Sequence, residues 1–166
     1  GAATRFRYPP GASHRPEQSL FYAEAGTRVL LTNCQVINNA GQIGNGNDAD
    51  ITFDHCLLQR AITAGEFVGG TLIVNHSALI EFPAIDDTYD AKVAESDYDA
   101  IYFTTGTHLL LNSLVGFAKD DAIDSGTGRA GTAVVSNCWV ESAWHEALAW
   151  SGEPKLGTWG SSCISR

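Results

Sequence analysis

Acidic side chains cluster twice in the second half of the chain, each time beside a turn-rich segment. The clustered residues are Asp97, Asp99, Asp120, Asp121 and Asp124. Hard cations such as Ca²⁺ bind several carboxylate oxygens at 2.3–2.6 Å, often from more than one chain segment. The two clusters are about 23 residues apart, so they could share one Ca²⁺ if segments of that length stack on each other. Each aspartate could instead be a simple turn residue.

Composition limits the classes of partner. The 166-residue chain is 44% hydrophobic and 17% charged, which is typical of one folded domain. Its 10 basic and 19 acidic residues give a net charge of −9, which argues against a nucleic-acid partner, because phosphate contacts need clustered Lys and Arg. No apolar run approaches the roughly 18 residues of a membrane span. An acidic chain can hold a cation, or an anionic ligand through one.

A sequence pattern repeats from Thr27 onward. Each unit contains a small residue, and these residues form the column Cys34, Cys56, Ser77, Ser113, Cys138 and Cys163, with spacings of 22, 21, 36, 25 and 25 residues. Apolar residues recur three positions before the column, at Leu31, Phe53, Val74, Leu110 and Val135. They also recur two positions after it, at Val36, Leu58, Leu79, Val115 and Val140. A period of 20–25 residues is typical of a solenoid.

The repeat units predict strands and turns. They are short and β-branched, with Gly, Asn and Asp between them. A β-sandwich would not repeat one side-chain pattern in every strand, and the L-x-x-L-x-L signature of leucine-rich repeats is absent. We therefore predict an all-β chain, a parallel β-helix of about five to six coils. Residues 1–26 would form a lead-in or cap segment before a β-helix domain at 27–166, with Phe21 and Tyr22 covering the first coil.

Further features follow from this repeat. The residues before the column, Asn33, His55, His76, Asn112, Asn137 and Ser162, would form a ladder at a bend that hydrogen-bonds between coils. Residues 83–98 form an insertion, and in solenoids insertions lie on one face, often the binding face. The last unit begins a coil and then stops, so the C-terminal end is either truncated or capped by another chain. Exposed ends would permit end-to-end association.

The cysteines occupy one column, so Cys34 and Cys56, or Cys138 and Cys163, could lie within disulfide range. Serine occupies the same column in two coils, which favours small buried thiols over disulfides. No C-x-x-C motif occurs, so a zinc-ribbon or thioredoxin-like site has no support.

Other residues could carry chemistry beside the acidic clusters. Lys119, Arg129 and Lys155 are candidate cationic groups, and His145 is a candidate acid or base. The simpler roles are local charge balance for Lys119 and a turn or ladder position for His145, and the sequence favours them. Glu141 or Glu146 with a nearby aspartate could form the carboxylate pair of a glycoside hydrolase. The aromatic residues near the same turns, which could stack on sugar rings or fill core, are Tyr98, Tyr102, Trp144 and Trp150.

The span 97–152 resembles the central part of the pectate lyases, calcium-dependent polysaccharide lyases with a right-handed parallel β-helix. In that family a D-A-I strand start, a D-G-L-I-D motif and an H-D-K motif follow one another. The matching segments here are Asp99-Ala100-Ile101, Asp121-Ala122-Ile123-Asp124 and His145-Glu146-Ala147. The resemblance covers about a third of the chain and implies calcium ligands at Asp97, Asp99, Asp120 or Asp121, and Asp124.

The chain also departs from that pattern. Ala147 replaces the family's substrate-binding lysine, and Leu110-Leu111-Asn112-Ser113 replaces its W-I-D-H. A D-H-C occurs instead at Asp54-His55-Cys56, in an earlier coil, and the family's base arginine belongs to a coil near the end of this chain at Arg166. The chain is also similar to the broad group of bacterial right-handed β-helix repeat proteins.

These patterns predict a right-handed β-helix that binds or processes a polysaccharide, which could be acidic, and Ca²⁺ is the candidate cofactor. Candidate catalytic residues are Lys119, Arg129 and His145; candidate substrate-binding residues are Tyr98, Tyr102, Trp144, Glu146 and Trp150. If the chain is an enzyme, the resemblance favours a lyase over a glycoside hydrolase and implies an extracellular or cell-envelope location. Two alternatives stay open: a non-catalytic structural or surface module, and a fragment of a larger enzyme that lacks its catalytic base.

Overall fold

The computed structural model is a parallel β-solenoid of about five turns, built from three parallel sheets. It describes residues 19–37, 41–82, 98–126 and 131–150, and the backbone alone of 4–7, 156–159 and 164–165. Within these ranges the chain forms strands and turns and no helix. The all-β, parallel β-helix prediction is confirmed.

Each coil contributes one strand to each sheet. Numbered along the chain and given in spatial order, sheet A contains β1 (Thr4–Arg7), β4 (Cys34–Ile37), β7 (Leu57–Gln59), β10 (Ala78–Phe82), β13 (Leu114–Ala118), β16 (Trp139–Glu141) and β19 (Ile164–Ser165). Sheet B contains β2 (Ser19–Ala23), β5 (Gln42–Asn47), β8 (Gly65–Val68), β11 (Ile101–Thr104), β14 (Ile123–Ser125) and β17 (Leu148–Trp150). Sheet C contains β3 (Arg28–Thr32), β6 (Asp50–Asp54), β9 (Thr71–Asn75), β12 (Gly106–Leu111), β15 (Gly131–Ser136) and β18 (Leu156–Trp159).

The register of the sheets follows the two predicted apolar columns. In sheet C, Phe53 pairs with Leu31 on one side and Val74 on the other. In sheet A, Leu79 pairs with Leu58 and Val115. Side chains of both columns point inward, where alternate residues of each strand are buried, because the side-chain period of a strand is two. The predicted repeat unit therefore corresponds to one sheet C strand, a bend, and one sheet A strand.

The bend between sheets C and A has the same backbone conformation in every described coil. The residues before the small-residue column have φ angles between 45° and 54°, in the left-handed region; they are Asn33, His55, His76, Asn112 and Asn137. Asparagine tolerates this region better than most residues. Asn137 Nδ2 donates to Asn112 Oδ1 at 2.7 Å, whereas the rings of His55 and His76 stack with centroids 4.8 Å apart. The side chains of this column thus contact each other between coils, by amide hydrogen bonds or by stacking.

The small-residue column closes this bend with hydrogen bonds. The Ser77 hydroxyl donates to the Asn75 carbonyl at 2.8 Å and accepts the backbone N–H of Cys56 at 3.0 Å. Ser113 accepts the N–H of Ser77 at 3.1 Å in the same way. Cys34 and Cys56 are buried free thiols, which agrees with the prediction of small core residues. Burial raises the pKa of the Cys56 thiol.

Part of the predicted lead-in segment joins the solenoid. Strand β2 pairs with β5, and β1 pairs with β4, both in parallel. The ring of Phe21 packs on the core, with its centroid 6.2 Å from that of Phe53, whereas Tyr22 is 59% exposed. Phe21 therefore fills the first layer as predicted, and Tyr22 faces solvent. The described chain has no helix long and apolar enough to cross a membrane.

Candidate functional site

A corner between sheets A and B carries the acidic residues singled out in the sequence. Four coils enter sheet B there with a polar residue followed by an alanine; the pairs are Thr63-Ala64, Asp99-Ala100, Asp121-Ala122 and Glu146-Ala147. Backbone N–H groups of three alanines bond to the next coil, at 2.8 Å to Ala100 O, 2.8 Å to Asp121 O and 2.9 Å to Glu146 O. The polar residues are therefore stacked in one column. We name Asp99, Asp120, Asp121 and Asp124 the acidic corner.

Two carboxylates of this column bond to the backbone of the following coil. Asp99 Oδ1 accepts the N–H of Asp121 at 3.1 Å, and Asp121 Oδ1 accepts the N–H of Glu146 at 2.8 Å. Asp99 is only 2% exposed and Asp121 8%. Because a buried backbone N–H needs an acceptor, Asp99 has a structural role in joining coils, and Asp121 joins the next pair of coils by a partly buried bond.

Three of the carboxylates also converge on one point. Asp99, Asp121 and Asp124 each offer an oxygen within 4.8 Å of the other two. Asp99 precedes β11, whereas Asp121 and Asp124 belong to the next coil, and Asp124 pairs with Tyr102 in sheet B. The predicted proximity of the two acidic clusters across neighbouring coils is thus present for these three residues. Asp97 lies outside the described residues.

The surroundings of Asp121 disfavour its charged form. Burial is the main cause that raises the pKa of Asp121, and the neighbouring Asp120 raises it further. The hydrogen bonds from the N–H of Glu146 and from His145 act in the opposite direction and only partly offset this effect. An ionised Asp121 is therefore destabilised by its surroundings, and a positive charge at the corner would relieve that cost.

His145 lies at the outer edge of the acidic corner. Its Nδ1 is 3.1 Å from Asp121 Oδ1 and 3.7 Å from Asp120 Oδ1, and its side chain is 56% exposed. The three residues Asp120, Asp121 and His145 form a second group whose ligand atoms lie within 4.8 Å of one another. The His145 side chain is therefore accessible to solvent while it contacts the carboxylates. Glu146 is exposed beside it.

Lys119 is buried next to the corner. It is 6% exposed, its backbone N–H donates to Phe82 O at 2.7 Å, and its ammonium lies 5.2 Å from the centre of the Tyr98 ring. This distance is within the range of a cation–π contact. The other two candidate cationic residues, Arg129 and Lys155, lie outside the described residues.

A cavity of about 210 Å³ adjoins the acidic corner. It is lined by Thr63, Glu66, Asp99 and Tyr102. Glu66 and Asp124 pair with Tyr102 from opposite sides in sheet B, so acidic and aromatic side chains alternate along one outward-facing column. The cavity is thus a polar hollow with an aromatic wall, next to the convergent carboxylates.

The sequence pattern did not indicate Thr63 and Glu66 as site residues, although both line this cavity. The segment Thr63-Ala64-Gly65-Glu66 aligns with Asp121-Ala122-Ile123-Asp124, and the shared alanine was the available signal. The 36-residue interval between Ser77 and Ser113 obscured this alignment.

The two candidate tryptophans differ in placement. The Trp144 side chain is 57% exposed, and the backbone N–H of Trp144 donates to Ala118 O at 3.1 Å. Trp150 is half-buried and packs against the core, because it continues the inward-facing column that contains Ser125. Of these two, Trp144 offers the larger face to solvent.

Comparison with known proteins identified no related family. No protein-family model, no curated protein and no solved structure matches the chain. The structure therefore supports the parallel β-solenoid part of the likeness to pectate lyases. No family match supports a closer relationship.

Proposed function

We propose that this protein is a polysaccharide-binding β-solenoid that uses Ca²⁺ at the acidic corner to hold an acidic polysaccharide. The observation that carries this proposal is the convergence of Asp99, Asp121 and Asp124 within 4.8 Å. Two oxygen ligands at 2.3–2.6 Å on opposite sides of one Ca²⁺ are at most about 5.2 Å apart. One ion therefore fits the separation of all three carboxylates, and three negative charges suit a hard divalent cation.

The overall charge supports a cation-mediated mode of binding. A chain with net charge −9 repels an anionic polymer unless a cation lies between them. The cavity beside Asp99 and Tyr102 offers a place for part of a sugar, with Tyr102 as a stacking face. Polymers of this kind occur outside the cytoplasm, so an extracellular or cell-envelope location belongs to the same proposal.

Lyase chemistry is the enzymatic form of this proposal. A lyase needs a cation to stabilise an enolate-like intermediate and a base to remove the proton α to a carboxylate. His145 is the better-placed base among the described residues, because it is half-exposed and contacts Asp121, whereas Lys119 is 6% exposed. The Lys119 ammonium next to Tyr98 would instead attract the anionic polymer.

A purely structural role is the second candidate. The hydrogen bonds from Asp121 N–H to Asp99 and from Glu146 N–H to Asp121 favour it, since both carboxylates serve the backbone. Asp124 distinguishes the two functions, because neither of these bonds involves it.

The decisive experiment measures Ca²⁺ binding by calorimetry to chelator-treated protein and to its Asp124→Asn variant. We expect the wild-type protein to bind Ca²⁺ and to melt at a higher temperature when Ca²⁺ is added, and D124N to lose most of both effects. Asp50→Asn is the matched control, since Asp50 is an exposed aspartate in sheet C. If the wild-type protein does not bind Ca²⁺, or if D124N binds it equally well, the proposed Ca²⁺ site is refuted and the structural role is favoured.

Polymer binding and lyase activity are tested on the same proteins. Wild-type protein with Ca²⁺ should be retarded in gels that contain polyuronate, and chelator or D124N should remove the retardation. Lyase activity would appear as new ultraviolet absorbance from the unsaturated product, and it should fall in His145→Ala. A flat trace combined with Ca²⁺-dependent retardation would assign a binding function without catalysis.

A further inference from the structure

A second cluster lies at the bend between sheets C and A, away from the acidic corner. It consists of Asp54 at the end of β6, His55 directly after it, and His76, which holds the equivalent position in the next coil; we name it the histidine corner. His55 Nδ1 lies 3.0 Å from Asp54 Oδ2, and His76 Nδ1 lies 3.9 Å from Asp54 Oδ1. Each residue offers one ligand atom within 4.8 Å of the other two.

We propose that the histidine corner is a binding site for a divalent transition-metal ion of the Zn²⁺ type. Imidazole nitrogen and carboxylate oxygen are ordinary ligands of Zn²⁺, and two histidines with one carboxylate leave at least one position for water or another ligand. Ligands at 2.0–2.2 Å on a tetrahedral ion are about 3.4 Å apart. The separations of 3.0 Å and 3.9 Å lie on either side of this value, so small side-chain rotations suffice to form the site.

The fold holds the ligands close together. His55 and His76 both adopt a left-handed φ, 54° and 45°, and their rings stack with an angle of 22° between planes. Asp54 is oriented by Asn75, whose Nδ2 donates to Asp54 Oδ1 at 2.9 Å, and Asn75 is bonded in turn by Asn112. Metal ligands are commonly oriented by such outer hydrogen bonds.

The choice of residues at this bend points to a ligand. Asparagine occupies the same left-handed position at Asn33, Asn112 and Asn137, where it suits the backbone. Histidine replaces it only in two neighbouring coils. The residue before the left-handed position is a carboxylate only at Asp54; in the other coils it is Thr32, Asn75, Leu111 or Ser136. The departures from the repeat therefore coincide in space and together make one ligand set.

Charge and accessibility agree with metal binding. Asp54 supplies a carboxylate, and its side chain is 32% exposed. The side chains of His55 and His76 are 55% and 50% exposed, and they line a groove of about 630 Å³ on the surface. An ion can enter directly from solvent, and the groove leaves room for a further ligand.

The repeat itself supplies variants for the test. In the double variant His55→Asn/His76→Asn both histidines become the residue that other coils already place there, so the bend should be preserved. Wild-type and variant proteins, freed of metal by chelator, are titrated with Zn²⁺ by calorimetry, and their folding is compared by circular dichroism. Loss of an outer-shell partner costs roughly 10–100-fold in metal affinity, so loss of both imidazoles should weaken Zn²⁺ binding by at least about 100-fold.

Three further measurements make the result specific. His145→Asn should retain the site, because His145 belongs to the acidic corner; loss of Zn²⁺ binding in H145N alone would overturn the proposal. Ca²⁺ should not compete, since it prefers oxygen ligands. Asp54→Asn should weaken binding while the Asn75 hydrogen bond is kept. Failure of wild-type protein to bind Zn²⁺, or equal binding by the H55N/H76N variant, would also refute the site, and neither outcome bears on Ca²⁺ at the acidic corner.

Discussion

Asp99 offers a way to separate the structural role of the acidic corner from its proposed cation-binding role. Its Oδ1 accepts the buried N–H of Asp121, so Asp99→Ala should leave that N–H without its acceptor. An unsatisfied buried donor costs about 1–3 kcal/mol. Asp99→Asn removes the same negative charge but keeps an oxygen in the acceptor position. Because both variants lose the charge, the difference between them isolates the hydrogen bond.

We therefore expect the free energy of unfolding of D99A to be about 1–3 kcal/mol below that of D99N. This is a large share of the roughly 5–15 kcal/mol that stabilises a typical domain. Urea denaturation measures the difference, provided that the slope of the free energy against urea is the same for both. D99N should also lose Ca²⁺ affinity while it stays folded. Equal stability of D99A and D99N, within about 0.5 kcal/mol, would refute the structural reasoning, and unchanged Ca²⁺ binding by D99N would refute the ligand assignment.

Three other outcomes are expected. Asp121 has a raised pKa in the folded state, so its protonated form favours folding: this contribution is present below its ordinary pKa of 3.8 and is lost as pH rises through the raised value. In D121N the free energy of unfolding should no longer show this decrease as pH rises. Urea denaturation at several pH values without Ca²⁺ measures it. Ser77→Ala should cost about 1–3 kcal/mol because the buried N–H of Cys56 loses its acceptor, and Ser77→Cys should cost less in the same assay. Gly106→Ala should lower the melting temperature, because a Cβ there would lie 2.5 Å from the backbone of Gly69 and Gly70.

The coil architecture could be predicted because the physical constraint repeats. Inward positions must be apolar in every coil, so Leu31, Phe53 and Val74 reveal the register of sheet C. Sheet B is harder to recognise from its sequence. Strand β5, with the sequence QIGNGN, contains residues typical of turns, and β14 has three residues. These strands are formed by pairing with neighbouring coils more than by local propensity.

The candidate site could be predicted only in part, for a related reason. Asp99 and Asp121 are 22 residues apart, which is one coil, and this spacing placed them on neighbouring layers. Glu66 could not be added by spacing alone, since an insertion separates it from Tyr102, its neighbour in sheet B. The direction of each side chain depends on the bends, whose left-handed residues redirect the chain. Of the two tryptophans, Trp144 faces solvent while Trp150 packs on the core.

Two hydrogen bonds from backbone N–H groups of the small-residue column join neighbouring coils in the same direction along the solenoid. The N–H of Cys56 is satisfied by Ser77 in the following coil, and the N–H of Ser77 by Ser113 in the coil after that. A coil therefore presents a complete bend only when its C-terminal neighbour is in place. During synthesis from the N-terminus, each emerging coil would complete the one before it, so the growing edge of the solenoid acts as a template with a fixed polarity.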